Sequence, residues 1–541
     1  MRGLMMDYQL TVRHILERAN SLFPRKEVVS RVGDGVTRAT YGEVYRRVHR
    51  LAGALRELGV GPGDRVASFA WNHQRHLELY LAAPCMGAVL HTLNFRLFPD
   101  QIAYIVNHAG DQVILVDPLV ISLLEPLADK LGQVQHIVVM GDEPSGLDRV
   151  AGRPAHDYEA LLAAAPPEYP FPDLDEETAA AMCYTSGTTG NPKGVLYSHR
   201  AIVLHSMGEA LADVMALSER DVVLPVVPMF HANAWGIPFT ATMVGATQVL
   251  PGPAPMPADI VRLIETERVT MAAGVPTIWV GVLSVLEQGS HDLSSLKRIT
   301  SGGSAVPRSL LEAYEQRYGV QIWHAWGMTE MTPLGSVSRL KSTLERLPEA
   351  ERLRYRAMQG LPSPLVDIKA IDEEGHDVPW DGKSLGELAV RGPWVAASYY
   401  QDPDSSERFT EDGWFRTGDV VTIDPEGYVQ IADRTKDLVK SGGEWISSVD
   451  LENALMAHPR VIEAAVIAIP HPKWDERPLA CVVLRQDASE VSREELIEFL
   501  RPSFAKWWLP DDVVFMPEIP KTSVGKFDKK ALRDRYRDHV V

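Results

Sequence analysis

The stretch Tyr184-Thr-Ser-Gly-Thr-Thr-Gly-Asn-Pro-Lys-Gly194 follows an apolar run, Ala179 to Cys183, and this junction decides how the chain is read. The run reads as a buried strand, and the segment after it cannot be helical while it carries Gly187, Gly190 and Pro192. A glycine-rich turn leaving a strand end lines up successive backbone N–H groups into an anion-binding concavity. The hydroxyls of Thr185, Ser186, Thr188 and Thr189 add donors that can follow a moving phosphate, and Lys193 supplies a point charge. The composition therefore points to the phosphates of ATP. No lysine followed by Ser or Thr comes directly after the last glycine of a G-x-x-x-x-G frame, so an ordinary P-loop NTPase is excluded. Standing alone, the stretch also suits a flexible linker, and the decision rests on the rest of the chain.

Outward from this junction the sequence alternates. Between Asp64 and Gly141, short apolar strands (Val66 to Phe69, Val89 to Thr92, Val113 to Val116, Ile137 to Met140) alternate with segments of helical period, Leu77 to Met86 and Pro99 to His108. A second series runs from Met182 to Ile322, with strands at Val222 to Val227, Thr247 to Leu250, Met271 to Val275 and Arg298 to Ser301. These rhythms predict an α/β body of two mixed sheet subdomains. After Gly360 short strands such as Gly386 to Arg391 predict a small β-rich subdomain. The last hundred or so residues predict a compact α+β unit, from a helix at Leu451 to Ala457 through strands at Val461 to Ile469 and Ala480 to Leu484 to a helix at Arg493 to Leu500. The expected boundary lies at Asp433, giving a large domain over 1–432 and a small mobile domain over 433–541.

At 541 residues the chain exceeds what one core can organise. Hydrophobic residues at 45% and charged residues at 23% exclude a disordered or collagenous chain. A formal charge of −18 argues against nucleic-acid binding, which needs a cationic footprint. Cys85, Cys183 and Cys481 are widely separated and embedded in apolar runs, so they read as buried free thiols of a reducing compartment and provide no zinc framework. The segment Met1 to Leu10 has no apolar core of a signal peptide, and no window reaches the roughly 18 apolar residues that a membrane span needs. A cytoplasmic location is expected.

Further segments turn the loop from a weak signal into a strong one: Met229-Phe-His-Ala-Asn-Ala-Trp235, Gly302-Gly-Ser-Ala305, Trp326-Gly-Met-Thr-Glu330, Thr417-Gly-Asp419 and Pro520-Lys-Thr-Ser-Val-Gly-Lys526. In this order they resemble the adenylate-forming superfamily of acyl-CoA synthetases, nonribosomal adenylation domains and beetle luciferases. The resemblance covers nearly the whole chain. Phe230-His231, the placement of Trp235 and Lys436-Asp-Leu-Val-Lys-Ser-Gly-Gly-Glu-Trp445 look most like bacterial medium- and long-chain fatty-acyl-CoA synthetases.

The resemblance implies a specific reaction. A carboxylic acid is activated by MgATP to acyl-AMP and pyrophosphate, and the acyl group then passes to CoA. Glu330 and Thr185 match the Mg²⁺-contacting positions; a hard cation that keeps most of its waters needs only one or two protein oxygens. The loop Thr185 to Gly190 with Lys193 matches the phosphate site, Gly302, Gly303, Ser304 and Ala305 the adenine-side loop, and Asp419 and Arg434 the ribose contacts. Trp326 stands where relatives often carry tyrosine against adenine, followed by Gly327, Met328 and Thr329. His231, Trp235, Val275, Gly302, Gly327 and Met331 are placed at the acyl pocket. Lys526 matches the family's lysine that grips carboxylate and α-phosphate in the first step. Asp433 and Lys436 lie at the hinge, and a rotation then brings Lys440, Ser441, Gly442, Gly443, Glu444 and Trp445 to the site for the thiol.

The resemblance also implies a homodimer. A luciferase-like oxygenase would need a special pocket, a nonribosomal adenylation domain a carrier domain after Val541, and a non-catalytic adenylate or acyl sensor would not need the full set of residues. Free CoA is the expected acceptor. For the acid, Trp235 and Trp326 either shorten the acyl tunnel, which favours a short or medium chain, or gate it, which admits a long chain, and Met229, Met243, Met328 and Met331 form a soft wall that also suits a thioether acid such as 3-methylmercaptopropionate.

Overall fold

The structure is a computed structural model, and it describes residues 1, 3–185, 191–441, 444–485, 491–523, 525–537 and 539. Among these residues the body holds two large sheets. One follows the order Gly194–Ser198, Ala179–Tyr184, Val89–Thr92, Arg65–Phe69, Asp111–Val116, His136–Val139, Arg153–Asp157 and Arg149–Val150. The other orders Leu361–Pro362, Leu334–Val337, Gln321–Gly327, Arg298–Gly302, Met271–Gly274, Val222–Pro225, Thr247–Leu250, Glu27–Val32 and Gly35–Thr40. Pairing is parallel in the middle of both and antiparallel at the edges, the mixed pattern expected when helices cross over both faces.

The strand before the phosphate loop belongs to the first sheet. The alternation along the chain assigns Met182 onward to the second series, but Ala179–Tyr184 pairs in parallel with Val89–Thr92, and the N-terminal hairpin Glu27–Val32/Gly35–Thr40 joins the second sheet beside Thr247–Leu250. Each βαβ connection fixes the hand of a crossover and leaves open which edge receives the next strand. The expected β-rich unit is present as a four-stranded antiparallel sheet, Asp367–Ile371, Gly386–Arg391, Phe415–Ile423 and Val429–Arg434. A further sheet begins at Val439–Ser441 and includes Glu444–Ile446, Val461–His471, Asp475–Leu484 and Asp512–Phe515, with its own apolar core around Val439, Leu451, Val466 and Val482.

The segment that carries the chain toward the site is splinted by one buried side chain. Asn72 donates from Nδ2 to the carbonyls of Pro225 (3.0 Å) and Val227 (2.8 Å), and its Oδ1 accepts from Met229 N at 2.8 Å. Truncation would strand a buried N–H and two carbonyls where water cannot reach them. Asn72→Ala is expected to lower unfolding free energy by about 2–4 kcal/mol, read as a lower urea midpoint at unchanged slope; a shift below about 0.5 kcal/mol would remove Asn72 from this role.

Candidate functional site

Between the two sheets, the β-rich unit and the C-terminal domain lies a cavity of about 390 Å³. Its walls come from strand ends. Gly302 closes the strand Arg298–Gly302, Trp326 and Gly327 end the neighbouring Gln321–Gly327, and Met328, Thr329 and Glu330 follow directly. Parallel strands that end side by side leave a crevice at their carboxyl ends, where α/β sheets bind ligands. Glycine is required here by backbone approach: a Cβ on Gly327 would lie 2.1 Å from the carbonyl oxygen of Pro333, and one on Gly302 would lie 2.3 Å from that of Ala325.

His231 and Trp235 both reach the cavity, by an unusual turn. Ala232, Asn233, Ala234 and Trp235 all have positive φ (40°, 46°, 53° and 58°), and Gly236 follows at 79°. This is a left-handed turn of non-glycine residues, costing roughly 1–2 kcal/mol each. Surrounding contacts hold it: Ala234 N donates to His231 O at 2.9 Å, the Cys183 thiol pairs with Asn233 Oδ1, and Gly236 is pressed against the His205 ring. Strain of this kind gathers at functional sites, and here four residues of left-handed backbone set His231 and Trp235 on the same wall. The motif Met229 to Trp235 gives no local sign of this turn, and the helix Ile237–Val244 follows it directly. Burial pushes the His231 imidazole down to about 3, with the Lys526 charge adding to the effect, so the ring is neutral at physiological pH.

Asp419 and Arg434 are register partners on the antiparallel strands Phe415–Ile423 and Val429–Arg434. Their side chains meet at 3.4 Å, and the indole Nε1 of Trp326 donates to the other carboxylate oxygen of Asp419 at 2.8 Å. Trp326 therefore does more than present a ring, since it orients the carboxylate, a role that a tyrosine in its place could fill only with different geometry. Glu330 is buried, with Oε1 accepting from the Tyr399 hydroxyl at 2.5 Å. Lys193 pairs with Asp402 at 2.7 Å and stands 4.9 Å over the Tyr399 ring. Thr185 lines the cavity, and its Oγ1 accepts from Lys193 N at 3.1 Å.

Lys526 comes from the far end of the chain into this same cavity. Its ammonium is pushed down to about 8 by burial first and Arg434 second, against the opposing pull of Asp419 and Glu330. Lys436 also lines the cavity, and burial lowers its pKa. Asp433 is buried just before it, accepting from Arg434 N at 2.8 Å and Ser448 N at 3.0 Å.

Other expected positions stand elsewhere. Val275 backs Gly303 instead of lining the cavity, and Met331 is fully buried in the core. Met229 is likewise core and Met243 only packs against it, so of the expected methionine wall Met328 alone reaches the cavity, joined by Met215. Ser304 and Ala305 follow the Gly303 turn without joining the wall. Lys440, Ser441 and Trp445 form a hairpin of the C-terminal sheet, with Lys440 Nζ 4.3 Å over the Trp445 ring and Arg477 donating to Ser441 Oγ at 3.0 Å; none of the three lines the cavity. Glu444 takes part in that hairpin by its backbone. Ser186, Gly187, Thr188, Thr189, Gly190, Gly442 and Gly443 lie outside the described residues. Tyr399, Arg408 and Thr417 line the cavity without having been singled out for a site role in the sequence. Thr417 stands within the motif Thr417-Gly-Asp419, while Tyr399 and Arg408 carried no local signal.

The model of the AMP-binding enzyme family matches residues 16–400, and that of the AMP-binding enzyme C-terminal domain matches residues 450–526. The chain belongs to the AMP-binding enzyme family. Its similar proteins include a long-chain-fatty-acid–CoA ligase of Thermus thermophilus, 55% identical over 99% of this chain and 97% of that one. A 3-methylmercaptopropionyl-CoA ligase of Ruegeria lacuscaerulensis is 46% identical over 100% of both chains. Among solved structures, an anthranilate CoA ligase in complex with anthranoyl-AMP superposes with a TM-score of 0.87 at 25% identity, covering 99% of each chain. The fold of this AMP-binding enzyme, mixed α/β sheets followed by a small C-terminal domain, is that of the adenylate-forming superfamily. No helix among the described residues is long and apolar enough to cross a membrane.

Without nucleotide, the Lys526 ammonium is expected to titrate with a midpoint of about 8. Reductive ¹³C-methylation with NMR detection, assigned by Lys526→Arg, reads this directly. Asp419→Asn is expected to move the midpoint lower, because that carboxylate favours the charged form; a midpoint near the ordinary 10.5 would contradict the burial described.

Proposed function

We propose that the chain is an AMP-forming acid–CoA ligase that uses ATP and CoA, with two parts of its small domain over 433–541 taking turns at one cavity of its large domain over 1–432. The observation that carries this reading is Lys526, delivered by the C-terminal domain into a cavity that also holds Glu330, Trp326 and Arg434. Attack of a carboxylate on the α-phosphate brings several negative charges together, and preorganised cations there lower the barrier. Lys526 is positioned to bridge the acid carboxylate and the α-phosphate. Phosphate arriving beside it raises its pKa from about 8, so the nucleotide helps to charge the group that acts on it.

Asp419, held by Trp326 and Arg434, is oriented to accept the ribose hydroxyls. The Thr185 hydroxyl and the Glu330 carboxylate supply hard oxygen donors on one cavity, which fits Mg²⁺, and the bound ion would offset charge on the phosphates. His231 is neutral and so presents an N–H dipole to the carboxylate rather than a cation. For the second step Lys526 has to leave, and the change of sheet between Arg434 and Val439 supplies the place to turn, with Lys436 between. The hairpin Lys440 to Trp445 is the element proposed to replace it. Assembly as a homodimer is proposed on the resemblance.

The acid proposed is a short- or medium-chain fatty acid or a thioether acid such as 3-methylmercaptopropionate. Trp235, only 8% exposed, together with Met215 and Leu334 walls a cavity that also has to hold the AMP moiety. A long-chain fatty acid is the second reading, favoured by the 55% identity to the Thermus thermophilus ligase. AMP and acyl-CoA formation over acids from acetate to palmitate, with 3-methylmercaptopropionate included, separates them: an optimum at or below about eight carbons supports the closed pocket, while activity rising to palmitate means Trp235 swings aside.

Lys526→Ala is expected to lose acid-dependent pyrophosphate exchange by about 10²–10³ while still converting supplied acyl-AMP and CoA to acyl-CoA. Equal loss of both half-reactions would remove Lys526 from the first step.

A further inference from the structure

The lysine arrives on a hairpin that the large domain grips at its tip. Within residues 521–527, Lys521 bridges Phe527, Thr522 N donates to Lys526 O at 2.7 Å, and Gly525 N donates to Thr522 O at 2.9 Å. Ser523 stands at the tip. The amide Nδ2 of Asn94 donates to Ser523 Oγ at 2.9 Å, and Arg96 Nη1 donates to the Ser523 carbonyl at 3.3 Å. Asn94 is itself aimed: its Oδ1 accepts from Arg96 N at 3.0 Å, which turns the amide N–H toward the hairpin. Behind the tip, Gly525 turns at a φ of 84°, a left-handed backbone that glycine adopts without strain, beside Val275 and Thr277.

The guanidinium of Arg96 sits 5.3 Å from the Trp71 ring and 5.5 Å from the Phe230 ring. Among the described residues no carboxylate pairs with it. Its charge is therefore accommodated by two aromatic faces and the carbonyl that the docked hairpin brings. Undocking removes that carbonyl and leaves the exposed guanidinium to the two rings and to water. Phe230 immediately precedes His231, so the same aromatic box touches the wall expected to meet the acid.

We propose that Asn94 and Arg96 form a latch for the Lys526 hairpin, acting as positioning residues that hold the C-terminal domain docked while the acyl-adenylate forms. The proposal rests on Lys526 acting in the first step. Its consequence is a split between half-reactions: loosening the latch depletes the docked state needed for the first and leaves the second free to proceed.

The test uses the full-length enzyme and the variants Asn94→Ala, Ser523→Ala, their double variant and Arg96→Ala. Acid-dependent ATP–pyrophosphate exchange and acyl-CoA formation from supplied acyl-AMP are measured separately, with unfolding curves for each protein. Asn94→Ala and Ser523→Ala are expected to slow exchange by about 3- to 10-fold each. The double variant should be no slower than either alone, because both remove one hydrogen bond. Arg96→Ala is expected to lose more, about 10- to 100-fold, and thioester formation from acyl-AMP should stay within about twofold for the Asn94 and Ser523 variants. Additive losses at Asn94 and Ser523, or parallel losses in both half-reactions with unchanged stability, would overturn the latch. Should Arg96→Ala fail to fold, the Asn94–Ser523 cycle still decides. Lys526→Ala tells the two ideas apart: if it abolishes exchange while the latch variants leave exchange at the unmodified rate, the latch alone fails, and if Lys526→Ala itself leaves exchange intact, the reading beneath it fails.

Discussion

The arrangement depends on placing an ammonium group among phosphates that are not always there. Lys526 is drawn into a partly desolvated cavity, where burial and Arg434 work against its charge and Asp419 and Glu330 work for it. These influences leave it poised near neutrality. A permanently docked, fully charged lysine would be costly to bury without a partner, while a nucleotide that brings its own negative charge reverses that balance on arrival. The Arg434–Asp419–Trp326 contacts, the Tyr399–Glu330 hydrogen bond and the Lys193–Asp402 pair fix the remaining charges around that one mobile group. On the proposed reading the body stays rigid while the chemistry is switched by whichever part of the small domain occupies the cavity.

Much of this was legible in the sequence. Strand ends carry the chemistry, and the strands Val89–Thr92, Thr247–Leu250 and Gly386–Arg391 have the bounds that alternation and turn residues predict. The motifs mark Asp419, Glu330, Trp326 and Lys526 because glycines, hydroxyls and charges stand together in short runs. Pairing across the chain was not legible. Nothing local says that Ala179–Tyr184 joins the first sheet beside Val89–Thr92, that Tyr399 donates to Glu330, or that Asn94 meets Ser523. Those contacts arise from topology, which separates the partners widely in sequence.

The left-handed turn from Ala232 to Trp235 marks another limit. Alanine, asparagine and tryptophan have no propensity to adopt four successive positive φ angles, so local preference predicts something else there. Cys183 and His205, against Asn233 and Gly236, hold it. Likewise, assignment of Met331 and Val275 to the acid pocket followed the motif and not the side-chain direction. In the fold Met331 points into the core and Val275 stands behind Gly303. Proximity in sequence to a site residue identifies the neighbourhood, while packing decides which side chains face the cavity.

The central claim is that one cavity serves both steps by exchanging which part of the small domain it receives. A disulfide that locks the hairpin down tests it most directly, by Asn94→Cys with Ser523→Cys, since the two positions face each other across the docked hairpin and the native cysteines are buried. The oxidised enzyme is expected to release pyrophosphate with acid and ATP, retain acyl-AMP, and form no acyl-CoA until reduced. Full-rate acyl-CoA formation by the oxidised, cross-linked enzyme would contradict the account.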